Sequence, residues 1–238
     1  MGVMPTAPFQ DTSNDPRRGR PGDPTPEPRP KREPVFNAPL SALVLVALIV
    51  GGYALQTRFS IQAVVETMAF SPQGLAQGRW PTLFTALFVH GGWGHALINA
   101  AFALAFATPV ARYFGDGPLG MVVFFSFYLL CGVLSSLGYA ALHPGQAEPL
   151  VGASGAVSGL MGAASRLIDG RGRVGRIFSS PVLGMGGAWL AVNLLVGLLG
   201  GGFFPGTGGA AIAWEAHVAG FFAGVLLIGV FARPLRRR

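Results

Sequence analysis

Six long segments that are almost free of charged residues constrain the fold of this chain more than any other feature. They span residues 39–56, 93–112, 118–142, 151–168, 181–200 and 211–232. Each has roughly the twenty apolar residues that a helix needs to cross a bilayer. Only 11% of the 238 residues are charged, whereas soluble domains have about 25%. We therefore expect an all-α, multi-pass integral membrane protein with six transmembrane helices.

The regions outside these segments differ from one another in composition. Residues 1–38 are rich in Pro and Arg and contain no apolar run, which predicts a disordered tail. No apolar stretch of a cleavable signal peptide follows Met1, so the first apolar segment is expected to direct insertion. The loop 57–92 has many large apolar residues, which predicts short amphipathic helices lying partly in the membrane. A helical domain over 39–235 and a basic end at 236–238 complete the predicted organisation.

The basic residues are distributed unevenly around the six segments. Six crossings place both termini on one side, together with the loops that follow the second and fourth segments. That side holds 15 of the 17 Lys and Arg residues, and the other side holds Arg58 and Arg79. The positive-inside rule therefore predicts cytoplasmic termini, in the inner membrane if the chain is bacterial. Anchoring to anionic lipid accounts for the net charge of +7, and we expect no nucleic-acid partner.

Four polar residues lie at a similar depth within three of these segments. His95 and Asn99 are near the start of the second segment, Ser154 is near the start of the fourth, and His217 is several residues into the sixth. In the predicted topology all three segments enter from the outer face. At 1.5 Å per residue the four side chains then fall within roughly the outer 10 Å of the membrane. Ionisable residues in membrane spans usually mark functional sites, so the shared depth predicts one site.

Ser154 and His217 have the chemistry of a nucleophile and its base. A serine hydroxyl attacks poorly unless a neighbouring base takes its proton, and an imidazole has a suitable intrinsic pKa. An acidic third partner does not fit. Glu215 is two residues from His217 and on a different helical face, while Asp116 and Asp169 belong to the cytoplasmic side. The sequence therefore predicts a Ser–His dyad.

Acyl transfer also requires donors to the developing oxyanion and close packing of the helices, and other residues fit these two requirements. His95 and Asn99 are spaced i, i+4, so one helical face presents both as donors to a developing oxyanion. The backbone N–H of Ser154, near a helix N-terminus, is a further candidate donor. Pairs of glycines spaced four residues apart allow helices to approach closely. These pairs are Gly155 with Gly159 and Gly220 with Gly224.

These motifs together resemble those of the rhomboid family of intramembrane serine proteases. The matching residues are His90-Gly91-Gly92-Trp93-Gly94-His95 with Asn99, Gly152-Ala153-Ser154-Gly155, and Ala216-His217 followed by Gly220 and Gly224. The resemblance covers about residues 39–235. It implies a six-helix bundle with a half-submerged loop after the first helix and a water-filled cavity open to the outer face.

The resemblance also implies the roles of individual residues. Ser154 is expected to be the nucleophile and His217 the base, with His95 and Asn99 as oxyanion donors and Gly155 supporting them. The substrates implied are transmembrane segments of other membrane proteins, cut near the outer face beside a small residue. No metal and no cofactor are expected.

Several residues depart from the family pattern or have structural interpretations. Ser158 stands four positions after the nucleophile, where many relatives have an aromatic residue that stacks on the histidine. His217 is then expected to be held less firmly, or by a hydrogen bond instead. The loop carries Arg79-Trp80, where relatives often have the reverse order. His90 is expected to stabilise the loop–helix junction, and Gly152, Gly220 and Gly224 are expected to be structural. Asn193 is predicted to make a helix–helix hydrogen bond, and His143 to be exposed.

Other classes of protein fit the sequence less well. A catalytically inactive rhomboid relative that binds membrane clients would have lost the serine or the histidine, and this chain keeps both. A small transporter should show broken helices in corresponding halves, and no such repeat is evident. A zinc protease would have an H-E-x-x-H helix, whereas His90 and His95 are five residues apart. No apolar segment has the interior aspartate of an aspartyl protease.

Overall fold

The computed structural model of the chain describes residues 38–171, 173–199 and 213–235. All but one residue of the predicted disordered tail, and the basic end at 236–238, lie outside the described residues. Within the described ranges the regular structure is helical, with one isolated antiparallel bridge between Phe70 and Leu150. The predicted all-α class is confirmed. The helices are α1 (Leu40–Gln56), α2 (Ile61–Met68), α3 (Pro72–Ala76), α4 (Thr82–Thr85), α5 (Trp93–Phe114), α6 (Pro118–Leu142), α7 (Ser154–Asp169), α8 (Ser180–Leu199) and α9 (Trp214–Leu235).

The six longest helices overlap the six predicted apolar segments. By length and composition, α5, α6, α8 and α9 are suited to cross a membrane. The other two are shorter, with 17 residues in α1 and 16 in α7. At 1.5 Å per residue they are about 25 Å long, against a hydrocarbon core of about 30 Å. A multi-pass membrane protein is therefore supported, and six crossings stay a prediction.

The predicted short helices are present in the loop between α1 and α5. Serine caps begin two of them: Ser60 Oγ accepts a hydrogen bond from the Ala63 N–H, and Ser71 Oγ accepts one from the Gly74 N–H. Such caps satisfy N–H groups that have no partner inside the helix. The loop is tied to the segment before α7, because Phe70 and Leu150 exchange two backbone hydrogen bonds of 3.1 and 2.7 Å. The depth of the loop in the membrane stays a prediction.

Helix α7 is the central element, packed against α5, α6, α8 and α9. Twelve of its 16 residues are buried, which explains why a short helix rich in Gly, Ala and Ser can belong to a membrane domain. Its side chains face protein on nearly every side. The helices therefore approach more closely than bulky residues would permit.

Glycine provides that approach between α7 and α9. A Cβ placed on Gly220 would collide with the carbonyl oxygen of Gly155, and one placed on Gly224 would collide with the carbonyl oxygen of Gly159. The predicted pairing of small residues is thus a direct backbone contact. Because a carbonyl of a packed helix cannot move aside, no larger residue fits at either position of α9.

We expect Gly224→Ala to destabilise the helical domain by about 1–3 kcal/mol, the usual cost of overpacking a filled interior. The matched control is Gly187→Ala on α8, where an added Cβ meets nothing within 4 Å. Thermal unfolding of both variants in the same detergent measures the effect. Equal melting temperatures would contradict the backbone contact.

Candidate active site

The turn that begins α7 is built on Gly152. Its φ of +119° is disfavoured for residues with a side chain, and its N–H donates to the carbonyl of Ala86 at 2.9 Å. The helix starts at Ser154. Its first N–H groups have no carbonyl in a preceding turn. The backbone N–H of Ser154 is therefore at the helix end that favours developing negative charge.

Ser154 and His217 meet between the first turns of α7 and α9. Ser154 Oγ lies 2.7 Å from His217 Nε2, a normal length for a hydrogen bond. Both residues are partly buried. The close approach of α7 and α9 one and two turns further along brings these side chains together. The structure thus gives the two residues the contact that a nucleophile and its base require.

Asn193 on α8 is a partner of His217 that the sequence analysis did not identify. Its Oδ1 lies 2.5 Å from His217 Nδ1. The prediction of a helix–helix hydrogen bond named no partner, and only carboxylates were considered as a third group. The feature of the sequence that could have identified Asn193 is its position as a polar residue inside an apolar segment.

Ser158 does not hold His217 in place. The hydroxyl of Ser158 donates to the carbonyl of Ser154 at 2.8 Å, within its own helix, so it does not reach the imidazole. The aromatic neighbour comes from α8 instead, where the Trp189 ring centroid lies 5.7 Å from that of His217. Asn193 and Trp189, both on α8, contact the imidazole here. Many relatives instead have an aromatic residue at the position of Ser158.

His95 and Asn99 lie on the first two turns of α5, beside the turn at Gly152. Asn99 is buried, and its Nδ2 donates to the carbonyl of His95 at 3.0 Å. A Cβ on Gly152 would lie 2.7 Å from His95 Nε2 and 3.7 Å from Ser154 Oγ. His95 Nε2 and Ser154 Oγ therefore border the same small space. His95 Nδ1 accepts from the Gly91 N–H at 3.4 Å, which leaves Nε2 as the donor nitrogen.

A small cavity of about 10 Å³ adjoins the Ser154 side chain. Its lining residues are mostly small: Ala86, Leu87, Ser135, Ser136, Leu150, Val151, Gly152, Ser154, Gly155 and Ala216. Ser135 is committed elsewhere, because its hydroxyl donates to the carbonyl of Ala216 at 2.6 Å. That bond ties α6 to the residue before His217.

His90 is fully buried beside the site. Its backbone exchanges two hydrogen bonds with the Gln56 side chain, at 2.7 and 3.0 Å, which joins the loop to the end of α1. Burial, together with the nearby His95, lowers the pKa of His90 from 6.5 to about 4. The ring is therefore neutral at physiological pH, and among the described residues its nitrogens have no hydrogen-bond partner.

The prediction that His143 is simply exposed is wrong. Its Nε2 lies 3.1 Å from Glu215 Oε1, and its side chain is 25% exposed. The ring also packs on Tyr139, with centroids 4.5 Å apart. Glu215 contacts His143. Its spacing of two residues from His217 predicted only that it would not reach that imidazole.

Comparisons with known proteins agree with this architecture. A family model described as Rhomboid domain matches residues 77–234. The chain is 27% identical to the putative rhomboid protease YdcA of Bacillus subtilis (strain 168) over 169 residues, which cover 69% of this chain and 74% of that protein. It is 34% identical to the rhomboid protease GluP of the same organism over 89 residues, covering 37% of this chain and 16% of GluP. The family match extends over well more than half of the chain and includes both Ser154 and His217. This chain belongs to the rhomboid family.

Proposed function

We propose that the protein is an intramembrane serine endopeptidase that cleaves transmembrane segments of other membrane proteins near the outer face. The observation that carries the proposal is the 2.7 Å contact between Ser154 Oγ and His217 Nε2. A nucleophile and a base side chain within hydrogen-bond reach are the signature of an activated serine. Relatives named rhomboid proteases add support from family membership.

The proposed arrangement in the membrane has six crossing helices, cytoplasmic termini and a half-submerged loop between α1 and α5. The overlap of the six longest helices with the predicted segments supports this arrangement, as does the concentration of basic residues on one side. Helix α8 exposes large apolar side chains, among them Leu183, Val192 and Leu195. Such a surface suits contact with lipid or with a transmembrane substrate.

In the proposed reaction, Ser154 Oγ attacks the carbonyl carbon of the scissile peptide while His217 Nε2 takes the hydroxyl proton. The resulting tetrahedral intermediate collapses when His217 returns that proton to the leaving amine, which yields an acyl-enzyme. Water then attacks the ester, again with His217 as base. The second collapse releases the new carboxyl end and restores the Ser154 hydroxyl.

The negative charge of the intermediate needs donors placed in advance. The Ser154 N–H at the start of α7 and His95 Nε2 border the space beside Ser154 Oγ, and Asn99 lies one turn from His95. We assign these groups to the oxyanion. The small cavity beside Ser154 favours a substrate with a small side chain at the cut, since its lining offers no room for a large one.

Ser154→Ala and His217→Ala should each abolish cleavage of a transmembrane substrate in detergent, and each should abolish labelling by a fluorophosphonate probe. The physical reason is the loss of the nucleophile in one variant and of its base in the other. Ser154→Ala should melt near the wild-type temperature, and His217→Ala should melt lower because it leaves Asn193 Oδ1 buried without a hydrogen-bond partner. Near-normal cleavage by Ser154→Ala would refute the assignment, and substrate binding without cleavage by the wild type would favour an inactive client-binding protein.

The placement of His95 can be tested through Gly152. We expect Gly152→Ala to lower kcat by about 10²-fold, comparable to the loss of one oxyanion donor, because the added methyl collides with His95 Nε2. Gly145→Ala is the matched control. It also has positive φ, at +76°, but its Cβ meets nothing within 4 Å. Equal kcat values for the two variants would argue against His95 as an oxyanion donor.

A topology assay tests the proposed orientation independently of activity. A reporter fused after Arg238 should read cytoplasmic, and one inserted near Gln146, in the loop before α7, should read external. The uneven distribution of basic residues gives the physical reason. If both reporters gave the opposite result, the site would open to the cytoplasm.

A further inference from the structure

Helix α8 supplies two contacts to His217 that a serine–histidine pair does not explain. Asn193 Oδ1 lies 2.5 Å from His217 Nδ1, and one turn earlier the Trp189 ring packs 5.7 Å from the imidazole. Asn193 is 3% exposed, although it sits in an apolar helix. Burying an amide is costly unless its polar atoms are hydrogen-bonded. The burial of Asn193 therefore indicates that the hydrogen bond of its side-chain oxygen is required.

The orientation of the Asn193 amide is fixed by its second hydrogen bond. Its Nδ2 donates to the carbonyl of Trp189 at 2.8 Å. In the flipped orientation the side-chain oxygen of Asn193 and the carbonyl oxygen of Trp189, both acceptors, would face each other with no hydrogen between them. The oxygen thus faces the imidazole. Because a carbonyl oxygen can only accept, His217 Nδ1 must carry the hydrogen.

This hydrogen bond determines which nitrogen of His217 can act as a base. In a neutral imidazole one nitrogen donates and the other accepts. With the hydrogen on Nδ1, the lone pair of Nε2 faces the Ser154 hydroxyl at 2.7 Å. A neutral imidazole with the hydrogen on Nε2 could not take the hydroxyl proton at that atom.

We propose that Asn193 is a positioning residue that holds His217 in the tautomer and ring orientation required for attack by Ser154. The proposal rests on the proposed protease function. After His217 takes the Ser154 proton, both ring nitrogens carry hydrogen, and Nδ1 continues to donate to Asn193 Oδ1. The same bond therefore serves the resting imidazole and the imidazolium formed during attack. Trp189 limits rotation of the ring from the side.

A purely structural role would give different results. If Asn193 only joined α8 to α9, its loss would lower thermal stability and leave the kcat of the folded fraction unchanged. Asn193→Leu removes the acceptor and keeps the branching of the side chain at Cγ. Asn193→Asp keeps an acceptor oxygen at the same place. Val196→Ala is the control for disturbed packing, since Val196 is buried on the same helix without a described hydrogen bond to His217.

The tautomer can be read directly by nitrogen NMR. The chain contains four histidines, so ¹⁵N-histidine labelling gives few signals, and the His217 signals are those missing from His217→Gln. We expect a protonated Nδ1 and an unprotonated Nε2 in the wild type and in Val196→Ala. In Asn193→Leu the two nitrogens should approach an average of both tautomers. An unchanged His217 spectrum in Asn193→Leu would overturn the proposal.

Kinetics with one transmembrane substrate then test the consequence for catalysis. Asn193→Leu should lower kcat about tenfold or more, the effect of losing one hydrogen bond made to a group that becomes charged, with KM little changed. Asn193→Asp should recover most of that loss, and Val196→Ala should stay near wild type. Equal kcat in Asn193→Leu and wild type overturns the proposal. So does a loss in Asn193→Leu that Val196→Ala reproduces. If Asn193→Leu fails to fold, Asn193→Ala replaces it in both measurements.

The two measurements separate this inference from the proposed function. Failure of the proposed function would appear as absent cleavage and absent fluorophosphonate labelling in the wild type. The proposed catalytic purpose of Asn193 would fall with it, although the spectra would still show its hydrogen bond to His217. Failure of the inference alone would appear as an active wild type whose activity and His217 spectrum do not respond to Asn193→Leu.

Discussion

The contact of the α7 backbone with the α9 backbone is the constraint on which the rest of the site depends. Gly220 and Gly224 lie against the carbonyls of Gly155 and Gly159, so the two helices approach as closely as their main chains permit. A serine side chain is short, and an imidazole has limited reach from its own helix. Only helices this close can hold Ser154 Oγ and His217 Nε2 at 2.7 Å. Any larger residue at the crossing would separate them.

The position of His217 between helices requires hydrogen-bond partners for both of its ring nitrogens, and α7 and α8 supply them. A histidine in an apolar surrounding must have its polar atoms satisfied, and both nitrogens of His217 have partners, Ser154 from α7 and Asn193 from α8. Asn193 is satisfied in turn by the carbonyl of Trp189. The polar groups therefore form a continuous chain across three helices. The bond to His217 Nδ1 therefore depends on the position of α8.

Much of the fold is predictable from the sequence, because hydrophobic length and glycine spacing are properties of single segments. The six apolar segments coincide with the six longest helices, and the short helices between α1 and α5 occur where they were predicted. Helix ends were less accurate. Helix α7, predicted as the fourth apolar segment, begins at Ser154, three residues later than predicted, because Gly152 adopts a φ of +119° that a helix does not permit. The pairing of His143 with Glu215 was missed, because the two residues are 72 positions apart in the sequence and no local pattern relates them.

The sequence by itself determined the membrane class of the chain, its motifs, and Ser154 and His217 as a pair. Apolar length, charge asymmetry and the residues around Ser154 and His217 can be read without knowing what lies beside them. The tertiary structure alone decided how His217 is held. Ser158 stands where an aromatic residue would be expected, and the sequence left open whether another group replaces it. The answer came from Asn193 and Trp189 on a different helix. Which face of α8 turns toward α9 depends on packing among all the helices, and no local pattern in either segment specifies it.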